Sequence, residues 1–213
     1  MPQSIDNRDE YGEVGFSEAE ADPDPFRQFG TWYAAANQIE AIHPEAMTLA
    51  TATSTGIISA RIVLLKAFDE KGFVFFTNYD SDKARELQAN PRAALLFWWS
   101  QLQRQVRLSG NVGKVSAAES DEYFATRPRN SQLGAWASPQ SQVIAGREVL
   151  EQRFAELEQR FHDREVERPP HWGGYRLAPD MFEFWQGRSS RLHDRIRYVR
   201  KSSGRWKIER LAP

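Results

Sequence analysis

Residues 58–78 read ISARIVLLKAFDEKGFVFFTN, and this stretch decides the fold class. It contains two runs rich in β-branched and aromatic residues, which favour strands, separated by the turn signal from Asp69 to Gly72. Three further runs of the same kind lie close by in the chain: MTLATATS, RAALLFWWS and QRQVRLSGNVGKVS, at 47–54, 92–100 and 103–116. Strands at such short spacing predict a barrel or a sandwich rather than a parallel α/β sheet.

Helices are predicted on either side of these strands. Asp24 followed by Pro25 is typical of a helix start, because aspartate caps free N–H groups and proline tolerates the first helical position. Apolar residues then recur at spacings of three and four to about residue 42. A short helix is predicted over 81–90, with Ser81 as its N-cap.

The second half of the chain is predicted to turn from helix back to strand. Ser116 and Glu119 have the spacing of a capping box, which predicts a helix through about residue 126. A longer helix is predicted from about Val143 to His162. Four runs after it predict strands, the last two joined by a turn at 203–204: GGYRLA, MFEFWQG, DRIRYVRK and RWKIERL, at 173–178, 181–187, 194–201 and 205–211.

Length and composition limit the possible functions. At 213 residues, one domain is the default. The net charge of -1 argues against a generally basic nucleic-acid-binding protein. The absence of cysteine excludes disulfides, thiolate metal sites and cysteine nucleophiles, and it fits a reducing compartment. No signal peptide and no run of 18 apolar residues is found, so we expect a cytoplasmic protein without membrane contact.

Residues 1–24 form an acidic leader. They hold eight carboxylates against Arg8 alone and contain few apolar residues. Such a segment buries too little surface to offset the entropy of ordering it, so we expect it to be mobile unless something docks it. The predicted organisation is therefore this leader, over residues 1–24, followed by one domain over residues 25–213.

The chemistry is predicted to depend on an organic cofactor. The four histidines lack metal-ligand spacing, and neither a glycine-rich phosphate loop nor a nucleophile elbow is present. Any phosphate must therefore be held by side chains, and the candidates are Arg61, Lys66, Lys83, Arg127 and Arg129. On a regular strand, Arg61 and Lys66 would point to opposite faces, because they are five positions apart.

The last 26 residues carry nine cations, and three interpretations of them stay open. They could be a solvated hairpin face balanced by the acidic leader, a nucleic-acid-binding hairpin, or a set of arginines for a phosphorylated small molecule.

Several motifs in the same order resemble the pyridoxamine 5'-phosphate oxidase family from about residue 24 to 213. They are RIVLLK (61–66), FTN (76–78), RQV (104–106), YFATRPRNSQLGAWASPQS (123–141), FWQG (184–187), RLHDR (191–195) and WKIERLAP (206–213). The resemblance implies an FMN-binding split β-barrel, mainly β with flanking helices, that works as a homodimer with its flavin sites at the subunit interface.

The resemblance also implies roles for individual residues. The predicted FMN contacts are Arg61, Ile62, Val63, Leu64, Leu65, Lys66, Phe76, Thr77, Lys83, Gln105, Gln140, Ser141, Trp185 and Arg195. The predicted substrate contacts are Arg8, Tyr11, Lys66, Tyr123, Arg127, Ser131, Arg191, Leu192 and His193. Arg191 and His193 are the candidate catalytic residues. The chain departs from the family pattern at Asp82, where the family more often has a basic residue.

The implied reaction is the oxidation of pyridoxamine and pyridoxine 5'-phosphates by oxygen to pyridoxal 5'-phosphate, with hydrogen peroxide as by-product. A relative of the phenazine-biosynthesis type, acting on another ring, and a non-catalytic flavin-binding protein are the alternatives. The presence of Lys66, Tyr123, Arg127 and Ser131, which resemble a cradle for the substrate phosphate, favours the phosphorylated pyridine.

Overall fold

The computed structural model describes residues 11–39 and 43–213, so the predicted substrate contact Arg8 lies outside the described residues. The helices of the described residues are α1 (Pro25–Ile39), α2 (Asp82–Ala89), α3 (Ala117–Thr126), α4 (Arg129–Ala137) and α5 (Glu148–Arg160). The strands are β1 (Ala46–Ala52), β2 (Ile58–Leu64), β3 (Ala67–Asp69), β4 (Gly72–Asn78), β5 (Arg92–Trp99), β6 (Arg104–Lys114), β7 (Trp172–Gln186), β8 (Asp194–Arg200) and β9 (Trp206–Arg210). The mainly β class is confirmed.

The strands form one sheet in the order β2-β1-β5-β6-β7-β4-β3, and β8 pairs with both β7 and β9. The pairs β3–β4, β4–β7, β7–β8 and β8–β9 are antiparallel. The two predicted strands at 173–187 are one strand, β7. Pro179 does not break it, because this residue falls between the segment paired with β4 and the segment paired with β8.

The single strand predicted over 58–68 is wrong. Strand β2 ends at Leu64, and β3 begins only at Ala67. Residues 65 and 66 belong to neither strand, although the Lys66 N–H donates to the Val74 carbonyl of β4 at 2.9 Å. Because the strand is not regular here, the opposite-face placement predicted for a regular strand does not apply to Arg61 and Lys66, and both residues line one cavity.

Each predicted helix is present in the structure, but some of the predicted boundaries are wrong. The Asp24 carboxylate accepts the Phe26 N–H at 2.9 Å, and the Ser116 hydroxyl accepts the Glu119 N–H at 3.0 Å, as the caps predicted. Ser81 is the N-cap residue of α2, but its hydroxyl accepts no backbone N–H of the helix and instead donates to the Asn78 carbonyl. Helix α5 begins later than predicted, and α4 was not predicted at all.

The chain forms two compact units. The first comprises the described residues up to 47 together with 95–109 and 179–213, and the second comprises 48–94 and 110–178. Each unit is assembled from separate stretches of chain, so no single cut in the sequence separates them.

The first unit has an aromatic core and includes part of the acidic leader. Phe29, Phe97, Phe182 and Phe184 are fully buried in it. Phe16 of the leader is buried beside Trp32, at 5.0 Å between ring centroids. Its N–H donates to the Asp194 carboxylate at 3.0 Å, so the described part of the leader is docked within this unit.

The second unit contains a hydrophobic cluster where α3 and α4 meet the segment after α5. Phe124, Leu133, Phe161, Val166 and Trp172 form this cluster. Among the described helices of the whole chain, none has the length and apolar character needed to span a membrane.

Candidate functional site

The second unit contains a cavity of about 730 Å³. Strand β2, the end of β4, the start of α2, the end of α3 and helix α4 supply its walls. The lining residues that the sequence predicted are Arg61, Ile62, Val63, Leu64, Lys66, Phe76, Thr77, Lys83, Tyr123, Arg127, Ser131, Gln140 and Ser141. The lining residues that sequence reasoning did not assign to the site are Asn78, Asp82, Gly134, Ala135, Ser138 and Trp172.

Two predicted positions lie elsewhere. Leu65 is buried and does not line the cavity. Arg129, a candidate phosphate ligand, donates from its guanidinium to the carbonyls of Phe161 and Arg164, at 2.5 and 2.9 Å. Its donors thus cap the end of α5, and Arg129 is not part of the cavity wall.

Lys83 is a buried ammonium group in the first turn of α2. Its Nζ donates to Thr77 Oγ1 at 3.1 Å, Ser81 Oγ at 3.2 Å and Gln140 Oε1 at 2.9 Å, and it forms no ion pair with a carboxylate of the described residues. Burial, and then the positive charge of Arg61, lower the pKa of Lys83. A buried cation that only neutral groups solvate is suited to an anionic ligand.

Arg127, at the C-cap of α3, is a second cation that pairs with no carboxylate in the described ranges 11–39 and 43–213. Its Cζ lies 4.6 Å from the ring centroid of Trp172 and 5.5 Å from that of Phe124. Nη1 of Arg127 is buried and has no hydrogen-bond partner in the part of the chain described. Burial lowers the pKa of Arg127. Because buried donors are normally satisfied, the free Nη1 indicates a ligand oxygen in the cavity.

Parallel aromatic rings hold this end of the cavity in place. The ring centroids of Phe76 and Tyr123 are 4.0 Å apart with an interplanar angle of 15°. The rings of Phe76 and Trp172 are 5.3 Å apart at 10°. Trp172 therefore contacts both the ring stack and the Arg127 guanidinium, and the stack fixes Tyr123 close to the same cation.

Asp82 lies on the rim of the cavity. Its side chain is 61% exposed and forms an ion pair with Arg85, one turn further along α2. The structure therefore places the carboxylate in solvent contact and gives it a cation of its own.

The remaining predicted residues belong to the first unit. Tyr11 packs edge-on against Trp185 and His193, at 5.5 and 5.1 Å between ring centroids. Trp185 and His193 are 4.6 Å apart. Arg195 pairs with the buried Glu183 at 2.8 Å, Leu192 is 70% exposed, and Gln105 lies on β6.

His193 has a defined tautomer. The Arg188 N–H donates to Nδ1 of His193 at 3.1 Å, so Nδ1 accepts and the proton of the neutral ring is on Nε2. Burial, and then the charge of Arg191, lower the pKa of His193, so both favour the neutral form of the ring. The backbone at Arg191 has a φ of 60°, in the left-handed region.

Comparison with known proteins gives consistent matches. The family described as pyridoxamine 5'-phosphate oxidase matches residues 33–161, and the family described as pyridoxine 5'-phosphate oxidase C-terminal dimerisation region matches residues 172–213. A pyridoxine/pyridoxamine 5'-phosphate oxidase of Cyanothece sp. PCC 7425 is 57% identical over 208 residues, covering 98% of this chain and 97% of the relative. The corresponding protein of Rubrobacter xylanophilus is 59% identical over 206 residues, covering 97% and 94%.

Two solved structures share the fold. PhzG from Burkholderia lata 383, in complex with tetrahydrophenazine-1-carboxylic acid, superposes with a TM-score of 0.88 at 35% identity, covering 94% of this chain and 98% of that one. A pyridoxamine 5'-phosphate oxidase-related FMN-binding protein from Nostoc punctiforme superposes with a TM-score of 0.72, covering 89% and 98%. At 18% identity, this second match supports the fold alone.

Proposed function

The chain belongs to the pyridoxamine 5'-phosphate oxidase family, and we propose that it is a pyridoxal 5'-phosphate synthase. It oxidises pyridoxamine and pyridoxine 5'-phosphates with oxygen to pyridoxal 5'-phosphate and releases hydrogen peroxide. The predicted split β-barrel, the FMN cofactor and the homodimer are confirmed with the family. The observation that carries the proposal is that one cavity contains all four residues of the predicted phosphate cradle.

The residues of the cavity fit FMN. A buried Lys83 without a carboxylate partner is suited to a phosphate, and Arg61 lines the same cavity. We propose that these two cations hold the phosphate of the cofactor and that Thr77 and Gln140, which hydrogen-bond to each other at 3.2 Å, contribute polar contacts. When bound, FMN supplies the acceptor for the two electrons of the oxidation and passes them to oxygen.

The substrate phosphate is assigned to Lys66, Tyr123, Arg127 and Ser131. Two cations and two hydroxyl groups can give a phosphate dianion several charge-assisted hydrogen bonds. The free Nη1 of Arg127 is the donor that most needs such a partner. Binding energy gained at the phosphate is remote from the reacting carbon, so it can be used to orient that carbon for reaction.

Arg191 and His193 are assigned to the pyridine ring of the substrate. Because Nδ1 of His193 already accepts from the Arg188 N–H, the neutral ring offers Nε2–H as a donor. We therefore assign His193 the role of a hydrogen-bond donor to the substrate rather than that of a base. Arg191 supplies a planar cation, which can stack on an aromatic ring.

An anaerobic reduction tests the function. The purified protein is expected to be yellow, and the flavin absorbance should bleach when pyridoxamine 5'-phosphate is added without oxygen. Pyridoxamine without its phosphate is the control and should bleach the flavin far more slowly. A flavin that stays oxidised with both compounds would contradict the function and favour a non-catalytic flavin-binding protein.

A second candidate function comes from the similarity to PhzG. An oxidase for a phenazine-type ring would reduce its flavin with a reduced tricyclic carboxylic acid and not with the phosphorylated pyridine. The same anaerobic experiment with both substrates separates the two functions. The cavity favours the phosphorylated pyridine, since Lys66, Tyr123, Arg127 and Ser131 together offer two cations and two hydroxyl groups to a phosphate dianion.

We also propose that the protein acts in the cytoplasm. The complete absence of cysteine fits a reducing compartment. Fractionation of the native host, followed by immunodetection, is the measurement that checks it.

A further inference from the structure

Arg61 is held at the cavity by a network of side chains from three elements. Ser59 and Arg61 are two positions apart on β2, so they share a face, while Thr51 comes from β1 and Glu86 from α2. The side chains of Arg61 and Glu86 are 22% and 14% exposed. We propose that Glu86 is a positioning residue that holds the Arg61 guanidinium for the phosphate of FMN, acting through the hydroxyls of Thr51 and Ser59. The proposal rests on the function proposed above, which supplies that phosphate.

The direction of the hydrogen bonds carries the argument. An ionised carboxylate can only accept, so the hydroxyl protons of Thr51 and Ser59 both point to Glu86. The lone pairs of the two hydroxyl oxygens are then free for Arg61, whose Nη1 donates to Thr51 and whose Nη2 donates to Ser59. Glu86 thereby turns both hydroxyls into acceptors for the guanidinium.

The direct contact between the two charges is the weaker part of the network. Arg61 Nη2 and Glu86 Oε2 are 3.3 Å apart, longer than the usual 2.7–2.9 Å of a charge-assisted hydrogen bond, and the contact is not bidentate. Nη1 of Arg61 also donates to the Leu49 carbonyl at 3.2 Å. The guanidinium plane is therefore fixed mainly by neutral oxygens, which leave its positive charge available to a phosphate.

The ionised state of Glu86 is supported by its surroundings. Burial acts to raise the pKa of this carboxyl, but the hydrogen bonds from Thr51 and Ser59 and the charge of Arg61 outweigh burial and lower it. Glutamine has nearly the same shape but replaces one accepting oxygen by an NH2 group. That group donates, so it opposes the guanidinium N–H groups instead of ordering them.

Binding of FMN and riboflavin to the apoprotein tests the proposal, because riboflavin lacks the phosphate. We expect Glu86→Gln to raise the Kd for FMN about tenfold in fluorescence-quenching titrations and to change the Kd for riboflavin less than twofold. Ser59→Ala should also raise the Kd for FMN and leave the Kd for riboflavin nearly unchanged. Ser59→Thr keeps a hydroxyl and should therefore retain most of the affinity for FMN. The double variant Glu86→Gln/Ser59→Ala should cost less than the product of the two single effects, because both residues act through one network.

Asp82→Asn is the matched control, since it removes a carboxylate from the same helix but from the solvent-exposed rim. It should bind FMN at least as tightly as the unmodified protein. If Glu86→Gln leaves FMN binding unchanged or tightens it, Glu86 merely competes for the charge of Arg61 and the proposal is wrong. An equal loss for FMN and riboflavin would show a purely structural role. If the unmodified protein binds FMN no more tightly than riboflavin, the proposed function itself fails. If Glu86→Gln still prefers FMN over riboflavin as strongly as the unmodified protein does, only the inference about Glu86 is wrong.

Discussion

Two cations of the cavity, Lys83 and Arg127, differ from the paired cations of the C-terminal hairpin, strands β8 and β9, in what balances their charge. In the hairpin, Arg197 pairs with Glu209 at 2.6 Å, and Arg210 pairs with Glu18 and Asp194 at 2.7 and 2.6 Å. In the cavity, Lys83 and Arg127 have no carboxylate partner among the described residues. A cation without a partner is the better sign of a ligand, although the sequence has many more cations in the hairpin.

The geometry of the hairpin explains its pairs. The register of β8 and β9 places Arg197 opposite Glu209, and such cross-strand pairs stabilise a sheet. Glu18 of the acidic leader supplies the carboxylate for Arg210. Of the three interpretations of the basic C-terminus, these ion pairs favour the first, a hairpin face balanced in part by the leader.

The sharpest test of this comparison is the removal of a cavity cation. Lys83→Ala should raise the Kd for FMN about 10- to 100-fold, because hydrogen bonds to charged groups contribute about 1.5–3 kcal/mol to binding. Riboflavin should be affected much less, since it lacks the phosphate. Titration of the apoprotein with both ligands measures the difference. An equal loss of both ligands would place the phosphate away from Lys83.

Arg127 tests the second cation of the cavity. Arg127→Ala should raise the KM for pyridoxamine 5'-phosphate about tenfold or more and lower kcat less, because the guanidinium is assigned to a phosphate remote from the reaction. Arg127→Lys should recover only part of the affinity, since an ammonium lacks the planar face that stacks on Trp172. Steady-state kinetics would contradict the assignment if kcat fell and KM stayed constant.

The sequence predicted most of the cavity because the motifs themselves contain its polar residues. Lys66, Tyr123, Arg127 and Ser131 come from two of those motifs and all line one cavity. Asn78 and Gly134 were missed although they belong to two of those motifs, FTN and the stretch at 123–141. Both could have been found by treating a whole motif, rather than its charged members, as the site.

Other features depend on tertiary contacts that no local pattern shows. Trp172 lies in none of the motifs quoted above, and its position beside Arg127 depends on how the start of β7 packs against the end of α3. Helix α4 has the sequence RNSQLGAWA, whose serine, asparagine and glycine weaken the helical pattern, and packing of Leu133 in the core overrides it. The break between β2 and β3 after Leu64 likewise could not be predicted, because no glycine, proline or other turn-forming residue marks it in the sequence.

Arg191 would sharpen the comparison, since it lies near the hairpin and, like Arg200, Lys201 and Arg205, joins no ion pair of the described residues. Arg191→Ala should lower turnover and substrate affinity about tenfold and leave FMN bound, and Arg191→Lys should rescue little. Because the charge of Arg191 helps to lower the pKa of His193, its removal should let His193 protonate at higher pH. Protonation puts a proton on Nδ1 and breaks the hydrogen bond from the Arg188 N–H that orients the ring, so the acid limb of the kcat/KM profile should move to higher pH.

Arg197→Ala is the matched control for Arg191, because Arg197 is paired within the hairpin. It should leave the kinetics, the pH profile and FMN binding unchanged. Wild-type kinetics in Arg191→Ala as well would make Arg191 another member of the solvated hairpin face.

The smallest effect is expected at Asp82, where a carboxylate stands on the rim of a cavity built for phosphates. In the first turn of α2 it interacts favourably with the helix dipole, and Arg85 balances its charge. An exposed charge of this kind is worth about 0–1 kcal/mol, so its effect on FMN binding should be several-fold at most. Asp82→Arg should tighten FMN modestly, and the gain should shrink as salt rises, because exposed charges are screened. Asp82→Asn, which leaves Arg85 without its partner, should give a smaller gain. If either variant lowers the Kd for FMN more than tenfold and the effect persists at high salt, the Asp82 carboxylate faces the phosphate directly. The distinction between the solvent-exposed Asp82 and the buried Lys83 would then not hold for α2.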